Sequence, residues 1–171
     1  WHEYHITGDQ RKRNAEVVLN TGYNFEQNTK TIRTENGRAH KGSSKFTVNI
    51  DPNNEQVRVV KLLDRYSKGQ KWKLYVDDTI GGIFTVPTNQ RDAIAFPHPT
   101  GINNAPFYEM EMNIPSNKTQ GKSSVDLCME YAAGSQGVNE YCYRIYSLVS
   151  DRWVLTDTLD VGDVEDELLH G

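Results

Sequence analysis

Four glutamates lie in strand-like segments at spacings that could bring their carboxylates together. Glu109 and Glu111 alternate with apolar residues over 107–114, so both would project from one side of a strand, roughly 7 Å apart at two strand steps. Glu130 and Glu140 flank a glycine-containing turn, and a hairpin around that turn opposes them. Opposed like charges are unfavourable unless something compensates them, so we predict a functional sheet face here.

Carboxylates grouped on one sheet face suit two kinds of chemistry. Glycoside hydrolysis uses one carboxyl as a protonated acid and a second as an ionised base or nucleophile. A Ca²⁺ ion takes several hard oxygen ligands, so Ca²⁺ is the candidate cofactor, without a defined ligand set. A solvated strand face with its charges splayed apart is the alternative. The predicted catalytic residues are Glu109, Glu111, Glu130 and Glu140.

Basic and aromatic residues form a second candidate group. Lys71, Lys73 and Tyr75 alternate with apolar residues and would lie on the outward side of one strand, while Arg144 would pair with Asp126 across the hairpin. Ammonium groups can pair with uronate carboxylates, and flat rings can stack on sugar faces. We therefore predict Lys71, Lys73, Tyr75 and Arg144 as substrate-binding. The alternative is that these lysines keep an edge strand soluble.

Elimination across a uronate is another reaction that these residue types allow. A lyase would use Tyr or His as the base and Lys or Arg to neutralise the carboxylate. His40 and His98 are the histidine candidates, although no fixed spacing supports either.

The only two cysteines, Cys128 and Cys142, face each other in the same predicted hairpin. A cross-strand disulfide, two buried thiols and a metal-binding pair all remain open.

Alternating apolar and polar residues dominate the chain and predict its fold class. Segments 45–50, 71–77 and 107–114 show the period of half-buried strands, with Phe46, Val48 and Ile50 on one side of the first and Trp72, Leu74 and Val76 inward in the second. Segment 57–66 is apolar enough for an inner strand beside 71–77. Residues 87–106 hold four of the six prolines and predict a long loop. No amphipathic helix exceeds about two turns. We predict an all-β fold, an antiparallel β-sandwich of jelly-roll type.

Length and charge limit the organisation and the partners. The 171 residues fit one domain, which we place at 1–159, followed by an acidic tail or linker at 160–171. A net charge of -4 argues against nucleic-acid binding, and no apolar run reaches the length of a membrane span. No secretory leader is visible, and the chain opens at Trp1 without Met, so we interpret it as a piece of a larger protein.

Two stretches together resemble a known family. They are 57–78, which includes Leu74-Tyr-Val-Asp-Asp78, and 121–147, which runs from Gly121-Lys-Ser-Ser124 to Asn139-Glu-Tyr-Cys-Tyr-Arg-Ile-Tyr146. In this order they resemble the C-terminal jelly-roll part of the α-D-fructofuranosidase and difructose-anhydride-synthase type enzymes, glycoside hydrolase family 172. The resemblance implies a carbohydrate-active jelly roll, with a trimer as the candidate assembly. The chain has room for one jelly roll rather than two and lacks a Gly-Thr-Glu-Asp-Tyr-type segment, so no catalytic residue is carried over.

These observations lead to one functional hypothesis and two alternatives. The hypothesis is a domain of a larger cell-wall-degrading protein that binds and cleaves a structural, uronate-containing polysaccharide. A non-catalytic carbohydrate-binding module is the first alternative, and a structural or assembly jelly roll is the second. We expect an extracellular, virion or surface location rather than a cytoplasmic one. The aromatic residues that could stack on sugar in a binding module are Trp72, Tyr75, Tyr108 and Tyr141, but strand alternation directs Trp72, Tyr108 and Tyr141 towards the core, which weakens this alternative.

Overall fold

The computed structural model of the protein describes residues 5–7, 10–13, 19–24, 29–33, 37–64, 69–86, 107–133 and 137–171. These ranges are nearly all β-structure, with one 3-10 turn at Ser116–Lys118 and one α-helix, α1, at Val164–Leu169. No helix in them is long and apolar enough to cross a membrane. The strands are β1 (His5–Thr7), β2 (Gln10–Arg13), β3 (Leu19–Asn24), β4 (Thr29–Arg33), β5 (Gly37–His40), β6 (Ser43–Asn49), β7 (Gln56–Asp64), β8 (Lys71–Val76), β9 (Thr79–Thr85), β10 (Phe107–Ile114), β11 (Ser124–Tyr131), β12 (Val138–Glu140), β13 (Cys142–Val149) and β14 (Arg152–Asp160).

Two antiparallel sheets form the layers of a sandwich. The first sheet has the strand order β1-β6-β11-β8-β9, and the second has the order β10-β7-β13-β14. Side chains from both sheets belong to one buried hydrophobic cluster. The predicted all-β antiparallel sandwich is confirmed, while the jelly-roll connectivity stays a prediction. Two smaller sheets, β12-β5-β2 and β3-β4, complete the described β-structure.

Period-two alternation determines which side chains fill the sandwich. Phe46 of β6 and Trp72 of β8 are buried while their sequence neighbours are not, as the sequence predicted. The Phe46 ring centroid lies 4.8 Å from that of Tyr143 in the opposite sheet. The Trp72 indole N–H donates to the sulfur of Met112 at 3.2 Å, again between sheets. Burying a large apolar side chain of this kind contributes about 1.5–3 kcal/mol.

The predicted hairpin between 124–131 and 139–146 is wrong. β11 pairs with β6 and β8 in the first sheet, whereas β13 pairs with β7 and β14 in the second. Cys128 therefore lies between Lys45 and Tyr75, while Cys142 lies opposite Leu62, and no disulfide joins the two cysteines. The intervening β12 pairs with β5, so the chain changes sheets where a simple turn was expected.

The predicted pairing of 57–66 with 71–77 is also wrong. β7 lies between β10 and β13 in the second sheet. β8 lies between β11 and β9 in the first sheet. The outward residues of these two strands consequently belong to opposite surfaces of the sandwich.

The acidic C-terminal segment, which the sequence predicted as a tail or linker, is folded. Asp163 caps helix α1 by accepting hydrogen bonds from the backbone N–H groups of Glu165 and Asp166, at 2.9 and 3.1 Å. Acidic residues in the first turn suit the positive end of the helix dipole. His170, which follows the helix, is buried. The segment thus packs onto the sandwich.

Candidate functional site

The eight predicted site residues occupy three separate places. The outward side of the first sheet holds four of them, the outward side of the second sheet holds three, and one is buried. The predicted gathering of four glutamates on one face is therefore wrong. The residues are Lys71, Lys73, Tyr75 and Glu130 in the first place, Glu109, Glu111 and Arg144 in the second, and Glu140 in the interior.

The lysine face is the outward group Lys45, Lys71, Lys73, Tyr75 and Glu130 on the first sheet. Lys73 and Glu130 are opposite each other on β8 and β11, and the ammonium lies 3.0 Å from the carboxylate. That hydrogen bond raises the pKa of Lys73. Because the pair is solvent-exposed, it contributes little to stability.

The second sheet carries what we call the arginine–tryptophan face: Arg58, Glu109, Glu111, Arg144, Tyr146 and Trp153. Cross-strand register builds its aromatic half. Arg58 lies opposite Tyr146 on one side and Asn113 on the other, and its Nε–H donates to the Asn113 amide oxygen at 3.1 Å. The Arg58 guanidinium carbon lies 4.1 Å from the Trp153 ring centroid, a cation–π contact.

The other half of the arginine–tryptophan face is charged and lies over an apolar floor. Arg144 forms an ion pair with Glu109, reaching across β7. Glu111 lies 3.4 Å from Arg58. Val60 and Leu62, the outward residues of β7 beneath these pairs, are 7% and 3% exposed. The face therefore combines two rings and two Arg–Glu pairs with a covered apolar base.

Glu140 belongs to an interior polar cluster with His40, Lys61 and Tyr143. The Tyr143 hydroxyl donates to Glu140 Oε1 at 2.6 Å, and His40 Nε2 lies 3.4 Å from Oε2. The Gly42 N–H donates to His40 Nδ1 at 3.3 Å, which places the ring proton on Nε2, towards the carboxylate. Burial alone would raise the pKa of Glu140, but His40, Lys61 and Tyr143 outweigh it and lower that pKa to about 2.

Lys61 is the member of this cluster that the sequence did not reveal. It is 0% exposed, and its ammonium has no hydrogen-bond partner among the described residues. The ammonium lies 4.1 Å from the Trp72 ring centroid and 5.7 Å from that of Tyr143. Burial lowers the pKa of Lys61 to about 8, with the Glu140 charge opposing the shift.

The burial of the interior cluster bears on the predicted roles. Glu140 is 0% exposed, so its carboxylate has no contact with the surface in this conformation. Trp72 and Tyr141, proposed as stacking residues, are likewise buried. His98, the loop 87–106 and the Tyr108 side chain lie outside the described residues. The catalytic and substrate-binding roles themselves remain predictions.

The described part of the chain contains no group of three or more His, Cys, Asp or Glu side chains that could hold a metal ion. Ca²⁺ as a cofactor therefore stays a prediction without a described ligand set.

Comparison with known proteins gives little similarity. No protein-family profile matches the chain, and no curated protein matches it. A crystal structure of a Paenibacillus sp. cycloisomaltooligosaccharide glucanotransferase, complexed with cycloisomaltoheptaose, is similar at 13% sequence identity and a TM-score of 0.37. The match covers 78% of this chain and 17% of that enzyme, so this chain spans less than a fifth of its length. A likeness at this level does not establish a function, and none of these comparisons shows glycoside hydrolase family 172.

Proposed function

We propose that this chain is a carbohydrate-binding domain and that the arginine–tryptophan face is its glycan-binding surface. The observation that carries the proposal is the cross-strand pairing of Arg58 with Tyr146 and the contact of Arg58 with the Trp153 ring, beside two Arg–Glu pairs. Rings offer apolar surface to the C–H faces of a sugar. Arginine and glutamate offer planar donors and acceptors to its hydroxyls.

The charge balance of this face favours an uncharged glycan. Arg58 and Arg144 are matched by Glu109 and Glu111, and each arginine contacts one of the glutamates. A uronate polymer would bring further negative charge beside both carboxylates, which is unfavourable. We therefore propose a neutral polysaccharide as the ligand in place of the uronate-containing one that the sequence indicated.

Binding fits the arrangement better than cleavage. Glu109 and Glu111 stand two steps apart on β10, roughly 7 Å, a separation in the range of an inverting glycosidase pair. Hydrolysis, however, needs one carboxyl held protonated as an acid, which hydrolases achieve in apolar surroundings. Both of these glutamates already contact arginines. In a larger polysaccharide-degrading protein, this domain would hold the polymer while another part cleaves it.

The lysine face is the second candidate surface, because Lys71, Lys73 and Tyr75 do share the outward side of β8. Its chemistry suits an acidic glycan. The two faces lie on opposite sheets, so each provides a control for the other.

The test is binding of a neutral panel (xylan, mannan, α-glucan and β-glucan) and of polygalacturonate, measured by affinity electrophoresis and calorimetry. Trp153→Ala should weaken binding of a neutral glycan about 10- to 100-fold, as expected for losing about 1.5–3 kcal/mol of ring contact. Tyr75→Ala, the matched control, should leave it unchanged. Binding of polygalacturonate that is lost only in Tyr75→Ala would assign the function to the lysine face. Unchanged affinity in both variants would refute both assignments.

A further inference from the structure

We propose that the C-terminal segment 162–171, which follows β14 and the buried Val161, is a proton-dependent clasp: protonated His170 holds it against the edges of β14 and β6, and loss of the proton releases it. The clasp is independent of glycan binding. It rests on the hydrogen-bond partners of one buried histidine and on the sheet edge that this residue covers.

Both ring nitrogens of His170 face acceptors. Nδ1 lies 2.7 Å from the backbone carbonyl oxygen of Asp166, and Nε2 lies 3.0 Å from the carboxylate of Asp157 on β14. A neutral imidazole carries one N–H, so it can satisfy only one of these oxygens, whereas imidazolium donates to both. The folded arrangement therefore favours the protonated form of His170. His40 shows the opposite arrangement, because its Nδ1 accepts a hydrogen bond from Gly42 N–H.

The electrostatic surroundings act in the same direction. The charged groups that face the His170 ring among the described residues are Asp157, on β14, and Asp166, on α1, with Asp166 Oδ1 3.5 Å from Nδ1. The hydrogen bond to Asp157 is the main reason that the pKa of His170 is raised, and burial opposes it only in part. Burial would raise the pKa of Asp157, but the His170 and Asn49 hydrogen bonds outweigh it and lower that pKa.

The clasp covers a sheet edge. The described part of β1 pairs with β6 along Ser43–Lys45. Beyond that point, the Thr47 N–H donates to the His170 carbonyl oxygen at 2.8 Å, and the Asn49 N–H donates to Asp157 Oδ2 at 2.6 Å. The C-terminal segment and Asp157 of β14 thus provide acceptors for two N–H groups of β6. Releasing the segment would free the Thr47 N–H, and an unpaired group of this kind on a strand edge can pair with another strand.

The direction of the pH dependence follows from linkage. Since docking raises the pKa of His170, the clasp is fully stabilised below the pKa of the released histidine. That stabilisation is lost as the pH rises through the docked pKa. Between the two values, the opening constant of the clasp rises tenfold per pH unit.

Hydrogen–deuterium exchange of the whole chain at about pH 6 and about pH 8, corrected for intrinsic exchange rates, tests the clasp. Peptides covering 162–171 should lose protection at the higher pH, while peptides from β13 should not. In His170→Gln, which cannot titrate, the same peptides should be weakly protected at both pH values. Equal protection of the wild-type segment at both pH values would overturn the proposal.

Asp157→Asn provides an independent readout if His170→Gln proves poorly folded. The amide keeps an oxygen near Nε2 but removes the charge, so the NMR titration midpoint of His170 should fall relative to the wild type. A wild-type midpoint at or below 6.5, the ordinary value for histidine, would also contradict the clasp, as would a midpoint that Asp157→Asn leaves unchanged.

Discussion

Replacing Lys61 by Met should stabilise the protein, although it removes a charged side chain from the interior polar cluster. The lysine is fully buried without a hydrogen bond, and its pKa falls from 10.5 to about 8. That difference corresponds to about 3 kcal/mol of unfavourable burial at neutral pH, where both the folded and the unfolded lysine are charged. Methionine is unbranched and apolar and can occupy much of the same space.

The pKa shift already includes the attraction between Lys61 and Glu140, but it does not include the cation–π contact with Trp72. That contact stabilises by up to about 2 kcal/mol when desolvated and is lost with the ammonium, so we expect a net gain of about 1–2 kcal/mol. Urea unfolding should report it, with a midpoint increase and an unchanged slope. Lys73→Met, on the surface, is the matched control and should change stability by less than about 0.5 kcal/mol.

The pH dependence of the stability difference shows whether the variant gains by removing a buried charge or by better packing. Between about 8 and 10.5 the unfolded chain binds a proton on Lys61 that the folded chain does not, so wild-type stability rises with pH relative to Lys61→Met. The advantage of the variant should therefore be full below about pH 8 and shrink above it. A destabilisation of more than about 1 kcal/mol at pH 7, or an advantage that does not change with pH, would refute this reasoning.

Three further outcomes are expected. Asp151→Gly should stabilise by about 1 kcal/mol in thermal unfolding, because φ at this β13–β14 turn position is +60° and the left-handed region disfavours a Cβ; a loss of stability would contradict this. A double-mutant cycle on Arg144 and Glu109 should give a coupling energy of at most about 1 kcal/mol that weakens in salt, because the ion pair is partly exposed to solvent. A larger coupling energy that salt does not change would contradict this. Tyr143→Phe should destabilise by about 1–3 kcal/mol, since it leaves buried Glu140 without its 2.6 Å donor; a neutral result in urea would show that the carboxylate finds another donor.

Alternation in the sequence was sufficient to predict most strands between residues 45 and 159 and their buried sides, whereas β1–β5 were not predicted. The inward positions of Phe46 and Trp72 and the outward positions of Lys71 and Tyr75 follow from a period of two residues, and the structure has them so. Alternation does not determine which strands pair with each other in a sheet. The hairpin expected between β11 and β13 had a suitable turn and suitable residue types, but β12 carries the chain to the other sheet.

The site was less predictable, because its parts come from distant segments. Trp153 and Arg58 are 95 positions apart and meet only because β13 lies between their strands. The burial of Lys61 was not predicted, because lysines are almost never fully buried. The alternation Val57-Arg-Val-Val-Lys-Leu-Leu63 did contain a signal: Val57, Val59 and Leu63 share the inward side, and Lys61 occupies the remaining position of that row.

Glycan contact with the arginine–tryptophan face can be observed directly by NMR. Titrating labelled protein with a neutral oligosaccharide cut from the polymer that binds best should shift the indole N–H signal of Trp153. It should also shift the side-chain signals of Arg58 and Arg144. The buried Trp72 indole serves as the internal control and should not move. Saturating shifts confined to the Trp153 side of the sandwich are the predicted result. Shifts that centre on Tyr75 and Lys73, or a neutral panel that leaves Trp153 unmoved, would contradict the account.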